Sequence, residues 1–348
     1  IHPAVPGLEA LLPFLADHWR DSAQQRGLHE LESIAYPKHA PLTSRPDWRG
    51  AGGLPGGNLD QLRAQALAPF GTRFAICNCL YGVQLLFSED MAAGFASAIN
   101  HCVRQEWLDR EPRLRASIVV PVQNPEMAVN EIERLAGDRR FVQVMLLVMG
   151  EMPLGRRYYW PIYAAAERHG LPIGIHAGSG YRHPVTGVGW PSYYTEDYAN
   201  QATAFQSALT SLVCEGVFAK FPGLKVVLIE SGFTWLPAHL WRLNKFWRGL
   251  RMEVPWVDRP PAEIVRDHVR LTLQPVDGPP APDQLERLME HMGSDEMLLF
   301  STDYPHWHFE GTAALPEGLP SALIAKIMID NPRATYARLT EVLPCSMA

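Results

Sequence analysis

Seven short apolar runs, each followed by a segment of helical periodicity, constrain this chain more than any other feature of its sequence. Arg73–Leu80 (RFAICNCL) leads into a helical pattern from Glu89 to about Arg110, and Leu114–Val120 into a helix opened by Asn124 and Pro125. Phe141–Val148 precedes a helix over Trp160–His169, and Pro172–His176 precedes one over Glu196–Lys220. Leu224–Glu230, His268–Leu273 and Met297–Ser301 complete the series. A strand that is apolar throughout is buried on both faces, so the sheet is parallel and the helices cover its outside.

Ile1-His2 can supply the stub of an eighth strand at the front. Eight β-α units within 348 residues predict an α/β chain folded as one (β/α)₈ TIM barrel over residues 1–348. The glycine pattern of a dinucleotide-binding turn is missing after the early strands, which disfavours an open doubly wound sheet. Two stretches interrupt the rhythm. A long insertion after the first strand, about 21–68, contains the Pro- and Gly-rich Tyr36–Asn58. Gly178–Tyr194 follows the fifth strand. Both are expected on the rim where the βα loops gather, covering a pocket, or for the first, meeting a neighbouring subunit.

Composition excludes several classes. With 47% hydrophobic and 20% charged residues the chain reads as globular. It has no run near the ~18 apolar residues of a membrane span and no visible leader segment. A net charge of −6 without a long basic run argues against nucleic-acid binding. Cys77, Cys79, Cys102, Cys214 and Cys345 form no C-x-x-C pair. Cys77 and Cys79 share a strand face and read as core, and the expected home is the reducing cytoplasm.

Catalytic groups of a barrel sit where its strands end. The fifth strand ends in His176, whose imidazole suits a metal ion or a general base, and the small residues behind it leave room for a substrate. The eighth ends in Asp303, a carboxylate that is costly to bury unless paired or bound to a cation, and able to act as ligand and proton shuttle. The sixth ends in Glu230, which needs a partner; Arg242 on the next helix is one candidate. Gln274 ends the seventh. His306, Tyr181 and Trp190 are the candidate substrate contacts, and His308 is read as a solvent-facing loop histidine.

Taken together, IHPAVPG, PIGIHAGSG, FAKFPGLKVVLIESGFTWLPAHLWRL and LLFSTDYPH resemble the amidohydrolase-2 family, in the branch of aminocarboxymuconate semialdehyde decarboxylase and γ-resorcylate decarboxylase. The resemblance implies one divalent ion, zinc first and manganese second, held by His2, His176 and Asp303. It departs from the family at Glu230, where many members carry histidine, and some relatives work without a metal.

The expected function is non-oxidative decarboxylation of a small aromatic or unsaturated carboxylate, with Asp303 and Glu230 as the catalytic carboxylates. Metal-assisted hydrolysis of a C–N, C–O or C–C bond is the alternative. A catalytically silent barrel serving as a binding subunit is the rival of another class. The expected partners are the small carboxylate and further copies of the chain, with no nucleic acid and no membrane.

Overall fold

The computed structural model describes residues 1–4, 7–28, 44, 48, 55–179, 183–307 and 314–339. Seven parallel strands lie in one sheet in the order of the sequence: β1 (Ala75–Cys77), β2 (Leu114–Val119), β3 (Phe141–Met149), β4 (Ile173–Ser179), β5 (Val226–Ile229), β6 (Val269–Thr272) and β7 (Leu298–Leu299). Among the described residues each pairs only with its sequence neighbours, the arrangement that an uninterrupted β-α alternation produces. Most strands are shorter than their apolar runs, because residues at the run ends have no partner in register. β3, one residue longer than its run, and β4 are the exceptions. β4 runs past His176 to Ser179, so His176 is paired inside the strand, opposite Leu147 and the last residue of β5, Ile229.

The two edges of the sheet meet at the front of the chain. The Ile1 amino group donates to Ile76 O at 3.2 Å, and Asn78 N donates to Ile1 O at 2.8 Å, both on the β1 side. His2 N donates to Tyr304 O at 2.7 Å, beyond β7. Two residues therefore reach both edges, so the sheet is strongly curled.

Helix boundaries follow local chemistry. Ser88 caps Glu89–Val103 by accepting from Met91 N, and Asn124 caps Pro125–Leu135 by accepting from Glu126 N and Met127 N, with Pro125 in the first turn. The helix expected over Glu196–Lys220 is two, Tyr194–Cys214 and Val217–Lys220. Gly216 breaks it with φ 80°, and a Cβ there would lie 2.4 Å from the Trp256 ring. The helices bury Phe95, Ile99, Ile132, Phe205 and Leu209 against the sheet, each contributing roughly 1.5–3 kcal/mol. Cys77 and Cys79 are core residues, and burial pushes both thiols up to about 12.

Most of Tyr36–Asn58 lies outside the described residues. The described flanks of the 21–68 insertion include the end of helix Asp17–Gln25 and the turns Leu59–Leu62 and Arg63–Leu67, which bury Leu59, Leu62 and Leu67. Among the described residues no helix is long and apolar enough to cross a membrane.

Candidate metal centre

Five polar side chains separated by up to 304 positions converge at the ends of β4, β5 and β7: His2, His176, Glu230, Asp303 and His306. The turns that deliver the two carboxylates are special. Glu230 and Asp303 are the two non-glycine residues with positive φ among the described residues, at 59° and 54°. Such backbone costs of order 1–3 kcal/mol and persists only where neighbours enforce it. At Glu230 the enforcement is visible. Its N–H donates to Thr272 Oγ1 at 3.0 Å, and Gly232 follows with φ 64°. Asp277 accepts from Phe233 N at 3.0 Å and from Thr234 Oγ1 at 2.8 Å, while Trp235 Nε1 donates to Ser231 O at 2.9 Å. The E-S-G-F-T-W segment is thus a braced turn that aims Glu230.

The imidazoles are oriented from behind. His2 Nδ1 lies 3.1 Å from Asn78 O and His176 Nδ1 lies 2.7 Å from Ala177 O, so each Nδ1 carries the donated proton. In a neutral ring each Nε2 then presents a lone pair. Yet His2 Nε2 lies 2.8 Å from Glu230 Oε1 and 3.1 Å from Asp303 Oδ1. His176 Nε2 lies 2.8 Å from the same Glu230 oxygen, but out of line for a hydrogen bond, which leaves this buried nitrogen unsatisfied. The His2 and His176 rings meet edge to face with centroids 5.1 Å apart. Lone pairs and carboxylate oxygens gathered at one point require a cation or second protons on the imidazoles. That donor set fits a divalent ion.

His306 joins from the other side. Its ring stacks on His2 with centroids 4.2 Å apart, and its Nδ1 lies 2.6 Å from Asp303 Oδ1. One ligand atom each from His2, Glu230, Asp303 and His306 lies within 4.8 Å of the others. Burial and the Asp303 charge push the Glu230 carboxyl up, but His176 and His2 outweigh them and hold it below its ordinary value.

The Arg242 pairing is absent: that guanidinium lies over the Phe246 ring, and the contacts of Glu230 are histidines. Gln274 is buried and donates to Ala314 O. Trp190 is 60% exposed and does not line the cavity beside Glu230. Tyr181 and His308 lie outside the described residues. Three contributors were missed by reasoning from the sequence. Asn78, which orients His2, follows β1 directly, so the rule that found Asp303 would have found it. Asp277 and the cavity wall at Gln201 carry no comparable signal.

A parallel, curled sheet that gathers imidazoles and carboxylates at its strand ends defines a class of metal-assisted enzymes. A model of the amidohydrolase family matches residues 5–338, and the chain belongs to that family. Among curated proteins it is 26% identical over 309 residues to γ-resorcylate decarboxylase of Rhodococcus jostii (strain RHA1), covering 79% of this chain and 88% of the relative. In fold it is similar to 5-carboxyvanillate decarboxylase from Sphingomonas paucimobilis, with a TM-score of 0.67, 20% identity and 97% of both chains covered. It is also similar to dihydroxybenzoic acid decarboxylase from Polaromonas sp. JS666, solved with manganese and the inhibitor 2-nitroresorcinol. There the TM-score is 0.65 at 20% identity, covering 82% of this chain and 88% of that one.

Proposed function

We propose that this chain is a non-oxidative decarboxylase of a small aromatic carboxylate, a hydroxybenzoate above all, that works with one divalent ion. The observation that carries the reading is the convergence of the His2 and His176 Nε2 atoms on the Glu230 and Asp303 carboxylates. His2, His176 and Asp303 would hold the ion, with Glu230 beside them. Zinc and manganese both suit imidazole and carboxylate donors, and the manganese of the solved relative weighs toward manganese. When bound, the ion supplies positive charge against the substrate carboxylate and its neighbouring oxygen.

Asp303 gives a proton to the ring carbon that bears the carboxylate. The bond from that carbon to the carboxylate then breaks, its electron pair restores the aromatic ring, and carbon dioxide leaves. His306, 2.6 Å from Asp303 Oδ1, is placed to return the proton. Glu230 keeps the two imidazoles turned toward the reacting face.

The same reading takes residues 1–348 as one closed (β/α)₈ domain, the Ile1-His2 segment filling the eighth strand position between β1 and Tyr304. Tyr181 and Trp190, which follow β4 in sequence, remain proposed substrate contacts, Trp190 on the condition that it turns inward from its exposed position. Exposed Trp241, Phe246 and Leu250 on the helix after β5 support assembly with further copies, and the free thiols Cys77, Cys79, Cys102 and Cys214 support a reducing, cytoplasmic home.

The test is carbon dioxide release from dihydroxybenzoates by metal-loaded protein. The expected result is turnover that Asp303→Asn lowers by ~1,000-fold or more. Cleavage of ester, lactone or amide analogues without carbon dioxide release would overturn decarboxylation in favour of hydrolysis.

A further inference from the structure

A cavity of about 270 Å³ opens beside Glu230, large enough for one aromatic ring, and its far wall is the helix Tyr194–Cys214. Asp197 and Gln201 lie four residues apart on that helix and so share the face lining the cavity. The Gln201 amide nitrogen donates to Asp197 Oδ2 at 3.4 Å, so the amide oxygen points away from that carboxylate. Gln201 Oε1 is buried and has no hydrogen-bond partner. A buried acceptor left in this state is destabilising, and a donor arriving with the ligand removes that penalty.

The other acids of the lining are already occupied. Asp277 accepts from Phe233 N and Thr234 Oγ1, and Glu230 is held between His2 and His176. Among the described residues the lining holds no Arg, Lys or His. Tyr194, Tyr198 and Ser231 add hydroxyls to the lining, but among the described residues no cationic side chain there neutralises a second negative group.

We propose that Asp197 and Gln201 form a specificity subsite for a hydrogen-bond donor on the ring, a phenolic hydroxyl remote from the departing carboxylate. The subsite deepens the decarboxylase reading and rests on it for the identity of the ring, but its test reads binding alone. A remote hydroxyl donates to Gln201 Oε1 or to the Asp197 carboxylate. A remote carboxylate in the same position faces the Asp197 carboxylate and the Gln201 amide oxygen and is disfavoured.

The experiment is calorimetric titration of the manganese-loaded protein with 2-hydroxybenzoate, its 3-, 4- and 5-hydroxy derivatives and its 4-carboxy derivative. At least one dihydroxy isomer is expected to bind roughly 10-fold or more tightly than 2-hydroxybenzoate, and the carboxy derivative no better than it. Gln201→Met, which keeps the side-chain length, should erase the preference and leave 2-hydroxybenzoate unchanged. Asp197→Ala, at a half-buried helix position that tolerates alanine, should act in the same direction and covers the case where Gln201→Met does not fold. Equal binding of all hydroxy isomers, a preference that survives both variants, or binding of none of these rings would overturn the subsite. The stated preference without carbon dioxide release would contradict decarboxylation and leave the subsite standing.

Discussion

Glu230 and Asp303 share one backbone conformation, left-handed φ of 59° and 54°, in the turns that follow β5 and β7. Both side chains are buried and both meet His2 Nε2; aspartate visits this conformation more readily than most residues, whereas glutamate does not. Left-handed φ at two buried carboxylates predicts that stability is set against function there. Glu230→Gly removes both the left-handed strain and a buried charge. Its melting temperature should equal or exceed that of the parent, while decarboxylation falls by ~100-fold or more. Differential scanning fluorimetry beside the carbon dioxide assay checks this. A large loss of stability would show that Glu230 is structural.

Gly232 is the hinge of the same turn. A Cβ there would sit 2.4 Å from Asp277 Oδ2, on a backbone with φ 64°. Gly232→Ala should cost about 1–3 kcal/mol in urea denaturation. It should also lower kcat, because Asp277 must leave Phe233 N and Thr234 and the aim of Glu230 is lost. A variant with parental stability and kcat would refute the bracing role.

The strand rhythm was legible because apolar runs of five to eight residues in a parallel sheet need no long-range information. His176, Glu230 and Asp303 were legible for a related reason, since a polar group closing such a run must be satisfied by something. What the sequence concealed is pairing at a distance. His2 stacks on His306 only because Ile1 and His2 bond to β1 on one side and Tyr304 on the other. Glu230 meets histidines instead of Arg242 because the Asp277 brace, 47 positions away in sequence, sets its direction. The break at Gly216 was missed because the helical pattern resumes beyond it, and only its contact with Trp256 marks it as a turn.

Acid stability should report on Glu111. This buried carboxylate receives Arg113 Nε at 2.7 Å and Arg63 Nε at 2.7 Å, tying the turn Arg63–Leu67 to the start of β2. Arg113, opposed by burial and helped by Arg63, lowers its pKa to about 2 from an ordinary 4.5. A depressed carboxylate contributes stability that is complete above its unfolded pKa and is lost as pH falls through the folded one. Both arginines are about one-third exposed, so the contribution is discounted to about 2 kcal/mol. Glu111→Gln should therefore be about 2 kcal/mol less stable than the parent at pH 7, with the gap narrowing as pH drops from about 4.5 toward about 2. A gap independent of pH over that window would contradict the assignment.

The metal content of the purified protein, measured by mass spectrometry of the elements, tests the central claim most directly. The account predicts about one divalent ion per chain in the parent and its loss, together with carbon dioxide release, in His176→Ala. A parent that releases carbon dioxide with no bound divalent ion, or a His176→Ala variant that keeps both metal and activity, would contradict it.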